Sequence, residues 1–292
     1  MDLLIDRIDI SENTRNKYKE LMMETLKFSI DFFKQHNLRY IACGGTVLGA
    51  VRHKGLIPWD DDIDLYMPRD DYERLFQLNG KLQECGYKAV SYDSKGYYLP
   101  FGKICNESTT IWERKELPYI IGVFVDIFPL DNFDIPDDEI YKIQVESKQK
   151  FSDYVKSIRK FYFSDFVEQV IGFHFKGSKA IVESWFVQKE REKRLKHFKD
   201  YIAPHTGGKG EKCVCITQWE GKIFKSRWFE DTIEMPFEDI SVIIPKDYDS
   251  YLKLLYGDYM TPPPEEGRVS QHYLYYINME KRETLNEVRK KK

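Results

Sequence analysis

No uninterrupted apolar stretch in these 292 residues approaches the roughly 18 needed to cross a bilayer as a helix. The first residues lack a basic segment followed by an apolar one, so no secretory leader is expected. Cysteine is sparse and odd in number, at Cys43, Cys85, Cys105, Cys213 and Cys215. That argues against a disulfide framework and for reduced thiols in a cytoplasmic protein. Cys213-Val-Cys215 has no second Cys/His pair at ligand spacing and reads as one face of a strand rather than as a zinc site. Charge of one sign is also missing: 45 Lys and Arg against 48 Asp and Glu leave a net charge of -3. No general affinity for nucleic acid is therefore implied. The one concentrated basic run, Arg289 to Lys292, reads as a solvated tail, with weak attraction to anionic lipid as the alternative. Neither an internal repeat nor a clean linker interrupts the chain. The expectation is one domain over residues 1–292 with a helix-rich insertion at about 137–200. It would be soluble and cytoplasmic, at most resting on the inner face of the membrane.

What is present is apolar and aromatic material, 42% and 15% of the chain, enough for a packed core. Residues 14–37 repeat bulky side chains at helical steps, and "LRYIACGG" reads as a strand ending in Gly44-Gly45. "TVLGAVRH" opens a helix with Thr46 as its cap, and residues 62–67 are extended after Pro58. "RDDYERLFQLNGKLQECG" fits one helix closed by Gly86, with Leu75, Leu78 and Leu82 buried. "YKAVSY", "YYLPFGKIC", "GVFVDIFPLD", "CVCITQW" and "SVIIP" read as strands, and a Pro-rich loop lies near the end. Residues 137–200 carry a repeated Phe and Tyr pattern, read as core packing, with a surface resting on a membrane as the alternative.

The informative stretch is "GGTVLGAVRHKGLIPWDDDIDLYMPRDDYE", where Asp60, Asp61, Asp62 and Asp64 crowd together. Alternate residues of a strand share a face, so Asp62 and Asp64 point one way while Ile63 and Leu65 point into the core. Two carboxylates on one face repel unless a dication lies between them, and oxygen-only ligation suits Mg²⁺ or Mn²⁺. Asp126 is the expected third carboxylate, because an acid between Phe124 and Phe128 is costly unless paired or ligating. Asp60 is equally a ligand or the end of the turn after Pro58. Asp61 faces away as a structural residue, and Asp131 reads as a turn or helix cap. Strand, Gly44-Gly45, then helix would bring backbone N–H groups to an anion. Phosphate cradle beside metal pair is the layout of a nucleotidyltransferase-type site, suited to phosphoryl or nucleotidyl transfer.

Residues 44–75 resemble the signature of the LicD family, which includes bacterial phosphocholine transferases and relatives of fukutin. "YYLPFGKICNESTT", "GVFVDIFPLD" and "YGDYMTPPPEEGRVSQH" are similar to the family's later motifs in the same order. The resemblance implies an α/β (α+β) nucleotidyltransferase-like fold, a mixed sheet flanked by helices. It also implies transfer of a phospho-alcohol, most simply phosphocholine, from a CDP-activated donor such as CDP-choline. The acceptor would be a hydroxyl of a cell-surface glycan or teichoic acid precursor, lipid-linked or not, and CMP would leave. By matching position, Asp62, Asp64 and Asp126 are the metal set and Gly44, Gly45 and Thr46 the phosphate-contacting turn. Ser270-Gln271-His272 stands where two adjacent histidines are the usual pattern.

Around this core, Arg52 is read as a clamp on the diphosphate, or as a salt bridge to Asp60 or Asp61. His53 is a candidate acid or base, Lys103 a phosphate contact, and Arg268 and His272 donor-binding residues on a loop over the site. Trp59 and Tyr66 read as packing, unless one faces the pocket and holds a quaternary ammonium. The competing function is transfer of a nucleoside monophosphate from an NTP to a small molecule or sugar, releasing pyrophosphate. A non-catalytic binding protein is disfavoured by the intact carboxylate pair.

Overall fold

The computed structural model describes residues 8, 10–217, 221–268 and 274–291. The chain starts with α1 (Glu12–Gln35), β1 (Ile41–Ala42), α2 (Gly44–Arg52) and β2 (Asp64–Pro68). α3 (Arg69–Gln77), α4 (Asn79–Glu84), β3 (Tyr87–Val90), β4 (Gly102–Asn106), β5 (Thr110–Trp112) and β6 (Phe124–Phe133) follow. A helical stretch comes next: α5 (Asp137–Ile158), α6 (Phe163–Ile171), α7 (Phe175–Val187) and α8 (Arg191–Ile202). The chain closes with β7 (Lys212–Val214), β8 (Phe224–Lys225), α9 (Arg227–Glu230), β9 (Thr232–Phe237), β10 (Ile240–Pro245), α10 (Tyr248–Tyr256), β11 (Tyr276–Asn278) and α11 (Leu285–Arg289).

The result is a mixed α/β fold. Its main sheet runs β1-β2-β6-β4-β3, and β7 and β8 extend it from the far half of β6. β2 and β6 are parallel, while β1–β2, β4–β6 and β3–β4 are antiparallel. β9–β10 and β5–β11 form separate two-stranded ladders. Ile63, Leu65, Val125 and Ile127 are buried in the main core with Met22, Leu26 and Phe33 of α1. A second core joins α5 and α8 through Phe151, Tyr154, Phe198 and Ile202. The helical character expected of the insertion is present.

Several local expectations are corrected. Thr46 does not cap α2: the helix begins at Gly44 with Cys43 as its cap, so Thr46 lies within the first turn. The single helix expected after Pro68 is broken between α3 and α4. There the Asn79 side chain turns to bond both the amide and the carbonyl of Ala89 in β3. Leu75 and Leu82 are buried as expected, whereas Leu78, at the break, is only half-buried. Asp131 is not a cap but a buried strand residue. Its carboxylate accepts two hydrogen bonds from Arg69, at 2.7 Å from Nε and 2.5 Å from Nη2.

Candidate functional site

Sheet register builds the centre of the site. Asp64 pairs laterally with Asp126 across β2 and β6, and Asp126 pairs with Lys103 across β6 and β4. Directly opposed residues share a face of a sheet, so Asp64, Asp126 and Lys103 form one row across three strands. Asp62 lies just before β2, where Ile63 still accepts the amide of Asp126 at 2.8 Å. Carboxylate oxygens of Asp62, Asp64 and Asp126 lie within 4.8 Å of one another, and so do those of Asp60, Asp61 and Asp62. Asp62 is common to both groups. Asp61 therefore does not face away: residues 60–63 are outside the strand ladder, and the alternation expected of a strand does not hold there.

The donor set is wholly oxygen, and its arrangement fits a hard divalent cation. Burial, followed by the neighbouring Asp62 and Asp61 charges, pushes the Asp60 carboxyl up to about 8. Crowded carboxylates raise one another's pKa in this way. Asp62, Asp64 and Asp126 are the residues that could hold the ion, with Asp60 and Asp61 at its flank.

Lys103, at the end of the row, is buried rather than exposed to solvent. Its Nζ is 2.5 Å from Asp126 Oδ1 and 3.3 Å from the centre of the Phe124 ring. Where a contact with a donor phosphate was expected, the structure shows the Lys103 ammonium bonded to Asp126. Thr46 is likewise committed internally, its Oγ1 accepting the Asp64 amide at 2.8 Å. The Cys43 amide donates to the Asp64 carbonyl at 3.0 Å, so the start of β2 is clamped to the start of α2.

The two glycines are required by this closeness. Gly44 adopts φ +51°, and a Cβ there would lie 3.2 Å from Asp64 Oδ2. A Cβ on Gly45 would lie 2.7 Å from Asp60 Oδ2. The Gly44 amide donates to the Tyr251 hydroxyl of α10 at 2.9 Å, so that N–H is already engaged. The Gly45 amide lies in the first helical turn, where α-helix geometry supplies no partner.

A second group surrounds Trp59, one residue before the acidic run. Arg52 and Arg268 lie over the Trp59 ring at 5.9 and 5.2 Å, and the His53 ring meets it edge-on. Arg52 Nη1 donates to the Tyr259 carbonyl at 2.7 Å, not to Asp60 or Asp61, and its Nε donates to His53 Nδ1 at 3.4 Å. Partial burial and the Arg52 charge lower the pKa of His53. Arg268 Nε donates to the Pro263 carbonyl at 2.9 Å. Tyr66 is buried among Phe128, Phe224 and Phe229, which excludes it from head-group recognition. His272 lies outside the described residues.

Three contributors escaped the sequence reading. Tyr251 and Tyr256 arrive from α10, some two hundred positions away, with the Tyr256 hydroxyl 3.7 Å from the Cβ position of Gly44. Tyr18 of α1 is buried under the cluster, and burial, then Asp61, Glu113, Asp62 and Asp126, raise its pKa. Periodicity marked Tyr18 only as a core position.

Comparison with known proteins agrees with this geometry. Residues 37–167 match the family model described as LicD/FKTN/FKRP, nucleotidyltransferase domain. The chain is similar to the lipopolysaccharide cholinephosphotransferase LicD of Haemophilus influenzae. The two are 28% identical over 261 residues, 83% of this chain and 91% of that protein. An uncharacterized protein of Rickettsia typhi is 28% identical over 152 residues, 52% of this chain and 45% of its own length. Ribitol 5-phosphate transferase FKRP of Homo sapiens is 37% identical over 59 residues, 20% of this chain and 12% of that protein.

Proposed function

We propose, from the premise that this chain carries a LicD-family nucleotidyltransferase domain, that it moves a phospho-alcohol from a CDP-activated donor to a glycan hydroxyl and releases CMP. The observation that carries the reading is the lateral row Asp64–Asp126–Lys103, with Asp62 beside it and Gly44-Gly45 packed against the carboxylates. Phosphocholine is the first donor group to test, since the relative with the longest match quoted above is a cholinephosphotransferase. A phosphopolyol is the second, because another relative is a ribitol 5-phosphate transferase.

Mg²⁺ or Mn²⁺ held by Asp62, Asp64 and Asp126 would neutralise the donor diphosphate and orient it for in-line displacement. The protein's own groups do the remainder. The acceptor oxygen attacks the phosphorus that bears the alcohol, and the bond from that phosphorus to CMP breaks with its electron pair leaving on CMP. A carboxylate of the cluster takes the hydroxyl proton. Lys103 holds Asp126 by one oxygen and fixes its orientation. The Gly45 amide and the guanidinium groups of Arg52 and Arg268 stabilise the phosphate charge as CMP departs. With two guanidinium groups near its ring, Trp59 belongs to an anion-binding wall and is a poor seat for a quaternary ammonium.

The test is product analysis. Purified protein with Mg²⁺, a cell-envelope glycan and either CDP-choline or CDP-ribitol should release CMP. Asp62→Ala should lower that rate at least about a hundredfold, the scale of losing a preorganised charge stabiliser. Pyrophosphate from an NTP, with no CMP from any CDP-alcohol, would establish nucleotidyl transfer instead.

A further inference from the structure

The α6–α7 hairpin is built inside out. Along α6, Phe163, Val167, Val170 and Ile171 fall at i, i+4, i+7 and i+8, one helical stripe, and all four are exposed. Asp165 and Gln169 lie on the opposite stripe and are buried, Asp165 against Lys115 at 3.2 Å. Little apolar material fills the hairpin interior: its buried cluster is Phe161 and Ile181, with Phe166 and Ala180 beside them. Phe151, Tyr154, Phe161 and Phe198 pack as expected, but most aromatic residues of the hairpin face outward. Phe163, Ile171, Phe173, Phe175 and Phe186 are between 71% and 79% exposed. Phe173, at the apex between the helices, has φ +56°, a left-handed conformation rare for a bulky side chain. A helix that buries its acid and exposes its apolar stripe is matched to an apolar environment outside the protein.

We infer that this hairpin is a monotopic anchor that inserts its apolar face into the surface of an anionic lipid bilayer. Charge selects that occupant. Within the hairpin exposed Lys176 and Lys179 match Glu168 and Glu183, and the lysine excess is carried by exposed Lys160 and Lys189 just outside its two ends. A second copy would set the same lysine excess against itself, whereas a phosphatidylglycerol-type surface complements it. Lysines beside buried rings can extend their stems along the hydrocarbon and keep the ammonium at the headgroups. No helix among the described residues is long and apolar enough to cross a membrane, so the contact is one of lying on the surface. This inference stands apart from the identity of the donor, because it is read by binding and not by turnover.

Flotation of the full chain with vesicles tests it. Wild-type protein should float with phosphatidylcholine–phosphatidylglycerol vesicles, less with phosphatidylcholine alone, and less in high salt. The combined Phe163→Ser, Phe173→Ser, Phe175→Ser and Phe186→Ser variant should lose at least about tenfold in binding with its circular dichroism unchanged. Phe173→Gly relieves the positive φ, so it should keep or raise the melting temperature while still weakening flotation. Failure of wild-type protein to float with either vesicle would overturn the inference. So would a lipid-free dimer that the multiple variant dissociates, which would assign the face to a second copy.

Discussion

Lys103 sets the electrostatics of the row from its end, beside Asp126. Its ammonium is buried, bonded to Asp126 and in contact with the Phe124 ring, so it neutralises part of the cluster before any ion arrives. Replacing it with methionine leaves a buried carboxylate with one counter-charge fewer, a costly state. Lys103→Met should lower the melting temperature in chelator, and millimolar Mg²⁺ should recover most of the loss. Unequal rescue is the informative result: if Mg²⁺ stabilised wild type and variant alike, Lys103 and the ion would not be acting on the same carboxylates. At this scale the grouping of Asp62, Asp64 and Asp126 was expected from the sequence, Asp126 as an acid among phenylalanines, although Asp62 joins it from the turn before β2 and not by strand alternation. Lys103 was legible as a candidate but not as the buried partner of Asp126, because the register that sets β4 beside β6 is not visible in local sequence. Asp61 was misread because the strand starts only at Asp64.

Between elements, the joint that aligns the row is the return from β2 into α3. Arg69 opens that helix and grips Asp131 of β6 with two hydrogen bonds, both residues buried, at the end of the β2–β6 ladder remote from Asp64. Asp131→Asn removes the counter-charge of a buried guanidinium and should cost about 3 kcal/mol or more. Urea denaturation followed by circular dichroism measures this, and a change under about 1 kcal/mol would mean that water replaces the carboxylate there. Helix α1, strands β3, β6 and β10 and the insertion's helical character followed from periodicity and turn residues. The α3–α4 break did not, since Asn79 ends the helix by reaching Ala89 in β3, a contact between elements. The start of α2 was displaced for a similar reason: the Thr46 hydroxyl serves the Asp64 amide, leaving the cap to Cys43.

In the whole molecule, residues far apart in sequence complete what the central motif begins. Tyr251 and Tyr256 of α10 reach Gly44, and the Tyr259 carbonyl holds Arg52. Local pattern carries no information about such partners, which is why the carboxylates and Arg52 could be named in advance and the tyrosines that hold Gly44 and Arg52 could not. The aromatic insertion shows the same limit, since spacing identifies a stripe without saying whether it faces core or solvent. What unifies these parts is the claim that Asp62, Asp64 and Asp126 hold a divalent ion facing a cytidine diphosphate donor. Anomalous diffraction from crystals soaked in Mn²⁺ and CDP-choline tests it most directly. The account predicts a manganese peak bonded to oxygens of all three aspartates, with the donor diphosphate beside the Gly45 amide. A peak held by Asp60, Asp61 and Asp62 without Asp126, or a nucleotide bound away from the acidic row, would contradict it.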